Sequence, residues 1–370
     1  MSPILHTHLL PSLAEHLQYI QSIAPLPDGK QYFAVGGAVR DLLMGIASTL
    51  VDVDLTCGVH PDIVKQSIRP SDEISVFDTE KYGTITIINQ YTKTNYEITP
   101  FRAESGYSDI RHPDQIQRTH DLIADSGRRD FTINAMYATT LAGYALTDMT
   151  ARNDHSSKTL TQQGYISLTD HVLIIQDHDM IQHIVEQTYD TLPFQKSADH
   201  TVTVILDPQY GIDDIIHSKL RAVGDPLMRM HEDALRILRA LRFVNQLNQH
   251  PHIAIDFEKS TRKALQKSFP LVTTLPKERL HQELMKVFGG NNPYGYIALI
   301  DELHLLNTLF PALARCKHID QPIRYHPFDV YAHTLLVLHA AQQRNTNPYL
   351  KLAALYHDVG KVDQYAYYSL

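Results

Sequence analysis

Cysteine is nearly absent: Cys57 and Cys316 are the whole supply in 370 residues. That leaves no room for a disulfide framework or a cysteine-held metal site. No apolar run is long enough to span a bilayer. The start, Met1-Ser2-Pro3-Ile4-Leu5-His6, lacks the basic segment and apolar stretch of a signal peptide. Together these absences predict a cytoplasmic protein with no membrane partner. Positive charge is also scarce. The formal net charge of −8 argues against bulk electrostatic attraction to nucleic acid, so any RNA contact must come from a local basic surface. Internal repeats and low-complexity tracts are missing too. The hydrophobic content of 43% is that of a soluble globular chain, and the length predicts roughly two to four domains. With 22 histidines scattered along the chain, a lone histidine carries little information.

Residues 10–24 read as an amphipathic helix. Tyr32 to Val35 reads as a strand, Gly36-Gly37 as a turn, Val39 to Met44 as a helix and Val51 to Leu55 as a second strand. Thr84 to Ile88 and Asn95 to Ile98 are rich in β-branched residues and read as a hairpin. Residues 103–120 are polar, with Gly106 and Pro113, and read as a mobile loop. A helix is expected to begin in Asp130 to Tyr137. Residues 151–203 carry no motif around their two short apolar runs and read as an insertion. Val204 to Pro208 resumes a strand-then-turn pattern, and from Asp225 the apolar spacing is helical almost throughout.

Asp52 and Asp54 alternate with Val51 and Val53, so on a strand both carboxylates share one face. Two carboxylates on a rigid face suit Mg²⁺, which takes oxygen ligands and keeps sites for water and phosphate. The bland alternative is a solvated edge strand. Glu97, on a neighbouring strand candidate, is placed to complete or buffer the site, unless it pairs with Lys93 or Arg102. The Gly36-Gly37 turn puts backbone N–H groups at a helix start, an anion site by geometry, although most such turns are only turns. Arg40 and Asp41 follow one turn later and face the same pocket or form a surface ion pair.

Arg128-Arg129-Asp130-Phe131-Thr132-Ile133-Asn134-Ala135 is dense in polar groups. Arginine forks suit triphosphate oxygens, and an Asp or Asn can hold a ribose hydroxyl; the alternative is a capped helix with solvated arginines. Glu232 to Phe243 reads as an amphipathic helix burying Leu235, Leu238 and Leu241, with Asp233 and Arg236 side by side on the other face. An intrahelical salt bridge is the plain reading of that pair. The functional one is base selection. Cytosine and adenine both set an exocyclic amine beside a ring-nitrogen acceptor, so a carboxylate with a guanidinium accepts them and rejects G and U. Near the end, His326 and His333 flank a helix start. His357-Asp358 closes another helix, and an adjacent His-Asp suits a divalent metal.

In this order, the motifs resemble those of class II, bacterial-type tRNA nucleotidyltransferases, the CCA-adding enzymes that carry a C-terminal HD domain. The similarity runs through Gly36 to Asp41 with Asp52 to Leu55, then Glu97 to Arg102 and Tyr107 to Pro113. It continues through Arg128 to Ala135, Asp207 to Pro226, Glu232-Asp233-x-x-Arg236 and Leu275 to Arg279. Only residues 151–203 stand outside it. The resemblance implies an α+β fold: a polymerase-β-like head with a mixed sheet and helices, then all-α neck and body domains and the start of an HD-type domain. The corresponding segments are head 1–150, insertion 151–203, neck 204–250, body 251–320 and partial HD domain 321–370. It implies Mg²⁺ at Asp52 and Asp54 as the catalytic residues. Nucleotide contacts fall to Gly36, Gly37, Arg40, Arg129, Asp130, Asn134, Asp233, Arg236 and Arg239. His333, His357 and Asp358 would hold a second divalent metal, although an HD domain normally continues past Leu370 to a final Asp, so the metal site reads as incomplete and the chain as truncated. The implied reaction is template-independent addition of CCA to the tRNA 3′ end from CTP and ATP, with no obligate protein partner. CC-adding, A-adding and poly(A) polymerase relatives share the motifs, and an HD-type phosphohydrolase is the alternative of another class.

Overall fold

The computed structural model describes residues 5–27, 30–47, 49–79, 83–105, 115–146, 165–169, 172–189, 192–321, 327–344 and 347–363. The chain divides into two compact units, with the change falling between Gly224 and Asp225. Among the described residues the first unit is built on eleven strands: β1 Phe33–Val35, β2 Asp52–Thr56, β3 Ile74–Thr79, β4 Thr84–Asn89, β5 Asn95–Ile98, β6 Arg102–Ser105, β7 Gln115–Arg118, β8 Tyr137–Leu146, β9 Tyr165–Thr169, β10 Val172–Ile175 and β11 Phe194–Leu206. Nine of them form one mixed sheet in the order β3-β4-β5-β2-β1-β8-β11-β10-β9, and β6 pairs with β7 separately. Strand β2 runs parallel to β5, which sets Asp54 opposite Glu97. The β4–β5 hairpin is present, with Ile87 against Tyr96. The Asn89 carboxamide holds its turn by accepting from the backbone of Tyr91 and Thr92.

The alternation in β2 does what its sequence asks. Val53 and Leu55 are buried, while Asp52 and Asp54 stay on the open face. The helix Pro11–Ile23 buries Leu13, Leu17 and Ile20, as its period requires. A second apolar cluster gathers Phe33, Phe101, Tyr137, Leu173, Ile181, Val204 and Leu206 around β8, β10 and β11.

Three expectations change. The segment 130–137 does not begin a helix. Thr132 N–H donates to the Arg221 carbonyl and Val223 N–H to that of Asp130. The backbone is therefore engaged by residues 221–223, which leaves one 3-10 turn, Thr132–Asn134, before β8. In 103–120, β6 and β7 flank the polar segment as a ribbon; its tip, including Tyr107 to Pro113, lies outside the described residues. Residues 151–203 are not apart from the head. They supply β9, β10, the helix His178–Glu186 and most of β11 to the same sheet. Val172 to Ile175 is buried at every position and parallel to β11, which explains a short unbroken apolar run with no alternation to read. The first unit therefore runs to Gly224, and the segment 204–250 spans the change of unit.

The second unit is helical, with long members Leu235–Leu247, Lys259–Ser268, Lys277–Gly289, Pro293–Glu302, Val330–Arg344 and Pro348–Tyr356. Several of the helices described in this unit start on a side-chain cap. Asp225, Glu258, Asn292 and Asn347 each accept a backbone N–H of the following turn. Leu238, Leu241, Phe269, Phe288, Tyr296 and Ile297 are buried.

Candidate active site

Asp52 and Asp54 project from one face of β2, with Glu97 beside Asp54 on the next strand. Neighbouring strands lie about 4.8 Å apart, so three carboxylates share a small area. Burial, and then the charges of Asp54 and Asp52, push the Glu97 carboxyl above its usual range. A surplus of oxygen donors of this kind fits a hard divalent cation.

Asp54 and Glu97 line an open cleft of about 350 Å³ with Val35, Thr84, Thr99, Arg102, Arg128 and Arg129. Asp54, Glu97 and the arginines thus meet in one cavity large enough for a nucleotide-sized ligand, and Asp52 lies outside its lining. One residue aims the arginines. Asp125, on the helix Leu122–Gly127, is fully buried. Its Oδ1 accepts from Arg128 Nε at 2.9 Å and from the Arg102 backbone N–H at 3.1 Å. Its Oδ2 accepts from an Arg129 terminal nitrogen at 3.0 Å and from the Tyr137 hydroxyl at 2.7 Å. Arg129 Nε also donates to that hydroxyl at 2.9 Å. Burial alone would raise the Asp125 carboxyl, but Arg129, Arg128, Tyr137 and the Arg102 N–H outweigh it and hold it at about 2. Sequence reasoning singled out Arg129 but neither Asp125 nor Tyr137. The spacing of Asp125 to Arg128 and Arg129, three and four residues, was the available signal.

Gly36 has φ +74° and ψ −131°, a conformation that only glycine adopts readily. It brings the turn against Asp54, whose Oδ2 would lie 3.6 Å from an added Cβ. Arg40 is buried. It pairs with Asp41 at 2.6 Å and donates to Asn134 Oδ1 at 2.6 Å. Asn134 in turn donates to Asp130 Oδ1 at 3.2 Å, which also accepts from the Phe131 N–H. Arg40, Asn134 and Asp130 therefore form one chain of hydrogen bonds tying the Gly36-Gly37 turn to the 3-10 turn. None of the three lines the cleft.

In the helical unit, Asp233 and Arg236 do not sit side by side on a helix. Asp233 is extended, with φ −145° and ψ 104°, because the helix Pro226–Glu232 ends there and the next begins at Leu235. Its carboxylate accepts both terminal nitrogens of Arg279, at 3.0 and 2.9 Å. Arg236 is buried and donates to Glu232 at 2.6 Å and to the Arg229 carbonyl at 3.0 Å. Arg239 lies over the Phe243 ring, 5.2 Å from its centre.

His333, His357 and Asp358 converge as expected, with one ligand atom from each within 4.8 Å of the others. The histidine Nε2 atoms are 3.4 Å apart, and the Asp358 Oδ2 lies 3.3 Å from His357 and 3.6 Å from His333. His357 Nδ1 meets the Ala354 carbonyl at 2.8 Å, a bond that puts the proton on Nδ1 and leaves the Nε2 lone pair for a ligand. Lys361 also donates to Asp358, at 2.6 Å. Burial would raise the Asp358 carboxyl, but Lys361, His357 and His333 keep it below its usual value. His326 lies outside the described residues.

Fold and cleft together define a nucleotidyltransferase head followed by helical domains. Residues 32–160 match the family described as the poly A polymerase head domain, and 255–317 the one described as a probable RNA and SrmB-binding site of polymerase A. The curated relatives that match along the chain are CCA-adding enzymes. The chain is 30% identical over 299 residues to the CCA-adding enzyme of Pediococcus pentosaceus, covering 80% of this chain and 56% of that protein. It is 30% identical over 262 residues to that of Lactobacillus helveticus, covering 71% and 47%. The chain thus spans about half the length of the curated relatives it matches. In fold it resembles the Bacillus stearothermophilus CCA-adding enzyme solved with CTP, at TM-score 0.53 and 22% identity over 96% of this chain and 68% of that one. It also resembles the Thermotoga maritima enzyme complexed with tRNA, at TM-score 0.56 and 17% identity over 95% and 65%. Among the described residues no helix is long and apolar enough to cross a membrane.

Proposed function

We propose that this chain adds C, C and A to the 3′ end of tRNA from CTP and ATP, releasing pyrophosphate. The observation that carries the reading is the cleft in which Asp54 and Glu97 face Arg102, Arg128 and Arg129. Asp52, Asp54 and Glu97 fit Mg²⁺ by donor chemistry. Bound there, the ion would assist ionisation of the primer 3′-hydroxyl and neutralise charge on the α-phosphate and leaving pyrophosphate.

The chain's own groups supply the rest. Arg128 and Arg129, fixed by Asp125, and Arg102 beside them grip phosphate oxygens through charge-assisted bonds. With the Gly36 N–H donating to the Met136 carbonyl, the helix start at Gly37 offers its backbone N–H to the same anion, and Asp130 with Asn134 positions the ribose. Asp233 accepts from the exocyclic amine shared by C and A, while Arg236 donates to the adjacent ring nitrogen; Arg239 supports the nucleotide beside them. The test is to sequence the 3′ ends of tRNA lacking its last three nucleotides after incubation with CTP, ATP or both. Addition of CC from CTP alone and CCA from both, abolished by chelation and by D54N, supports the reading. An unextended primer overturns it, and CC alone, A alone or a run of A moves the assignment to the corresponding relative.

The cluster of His333, His357 and Asp358 favours a second reading, metal-dependent phosphohydrolysis. Release of inorganic phosphate from terminal phosphomonoesters of RNA or nucleotides under Mn²⁺ or Mg²⁺, lost in H357A, would establish it. No release with either ion would remove it.

A further inference from the structure

Arg279 opens the helix Lys277–Gly289, 46 residues after Asp233, and clamps both Asp233 oxygens with the two ends of its fork. The Leu235 backbone N–H donates to Asp233 Oδ1 as well, at 3.0 Å. A carboxylate has about four acceptor positions, so Oδ1 is filled. Among the described residues, Oδ2 accepts only from Arg279. Arg236 donates to other partners, Glu232 and the Arg229 carbonyl.

This division has a chemical consequence. Asp233 and Arg236 are close in sequence and opposite in charge, and a direct pair between them would satisfy acceptor with donor. Both edges needed to read a base would then be masked. In the structure each has its own counter-charge, Arg279 for Asp233 and Glu232 for Arg236.

We infer that Arg279 is a positioning residue that determines nucleotide specificity: it fixes the Asp233 carboxylate plane, leaves an Oδ2 lone pair for the base amine and keeps Asp233 from collapsing onto Arg236. This rests on the base-reading role proposed for Asp233 and Arg236. Glutamine at 279 would offer one amide in place of a fork. Lysine would keep the charge but not the two-point grip.

The test measures kcat/KM for CTP and UTP on tRNA lacking its 3′ nucleotides, using the full chain as wild type, R279Q, R279K and D233A. The CTP:UTP ratio does not depend on the fraction of molecules folded, so lost stability alone leaves it unmoved. R279Q is expected to lower the ratio about tenfold or more, toward the D233A value, since small misplacements of a positioning group carry costs of that order. R279K should fall between. R279Q with the wild-type ratio overturns the inference, even if both rates fall together. If wild type extends the primer but D233A keeps its selectivity, the base-reading role fails and the inference falls with it. A wild-type chain that incorporates neither nucleotide overturns the proposed function itself, a result distinct from both.

Discussion

Asp125 shows how much one buried side chain can organise. It neutralises two arginines, accepts a tyrosine hydroxyl and takes a backbone N–H with no exposed surface of its own. Replacing it with Asn leaves two guanidiniums without their counter-charge, a change that costs about 3–5 kcal/mol in buried settings. D125N is therefore expected to lower the denaturant midpoint and raise KM for the nucleotide more than it lowers kcat. Steady-state kinetics beside urea melts would check both. The pH dependence has a definite sign. The carboxyl moves from an ordinary 3.8 in the unfolded chain to about 2 in the folded one, so the unfolded state binds more protons between those values. The contribution is fully present above pH 4 and is lost as pH falls toward 2, about 2–3 kcal/mol in all. Acid titration of stability should be correspondingly flatter in D125N. Gly36 is the other sensitive position. Its Cβ would meet only ordinary contacts, so G36A should lose about 1–3 kcal/mol through backbone strain alone. The carboxylate pair on β2 was legible because strand alternation is a local rule. The Arg279 clamp was not, because its partner lies 46 residues away, and Asp125 was passed over although its arginines lie three and four residues on, because nothing local announces its burial.

Segments were legible where one face is wet and one is dry. The helix Pro11–Ile23, strand β2 and the β4–β5 hairpin all carry that contrast. It fails for 130–137, where partners at 221–223 capture the backbone, and for β10, which is buried on both sides. The helix Gly211–Ile216 approaches the 3-10 turn so closely that a Cβ on Gly211 would lie 2.4 Å from the Thr132 carbonyl oxygen. Backbone cannot yield as a flexible side chain can, and G211A is expected to cost about 1–3 kcal/mol by overpacking. A drop in thermal midpoint would register it, and an unchanged midpoint would contradict it. The same logic makes residues 165–206 indispensable to the head. Removing β9 and β10 would strip β11 of one neighbour and expose Val204 and Leu206, and such a deletion is expected to yield insoluble protein.

Across the whole molecule, each unit has its own apolar interior, and the helical one contains a buried ion pair. Arg242 Nε meets Glu283 at 2.5 Å, with Glu283 only 2% exposed. E283A would leave Arg242 buried beside no carboxylate, at a cost of about 3–5 kcal/mol. Tryptic digestion of that variant should open first at sites beyond Asp225, and early cleavage within the head would contradict this. The two-unit plan was only partly legible. Helical spacing after Asp225 announced the second unit, but the motif-free stretch 151–203 hid how far the first one runs. The strand order also bears on how the protein is made. Strand β1 lies between β2 and β8, and its partner residues on β8 follow it by about a hundred positions. A ribosome that has released only the first hundred residues has delivered the acid-bearing strand with one side of its neighbour still bare. Until Tyr137 emerges, that side of β1 is an unpaired strand edge, the kind of surface that can accept a strand from another chain.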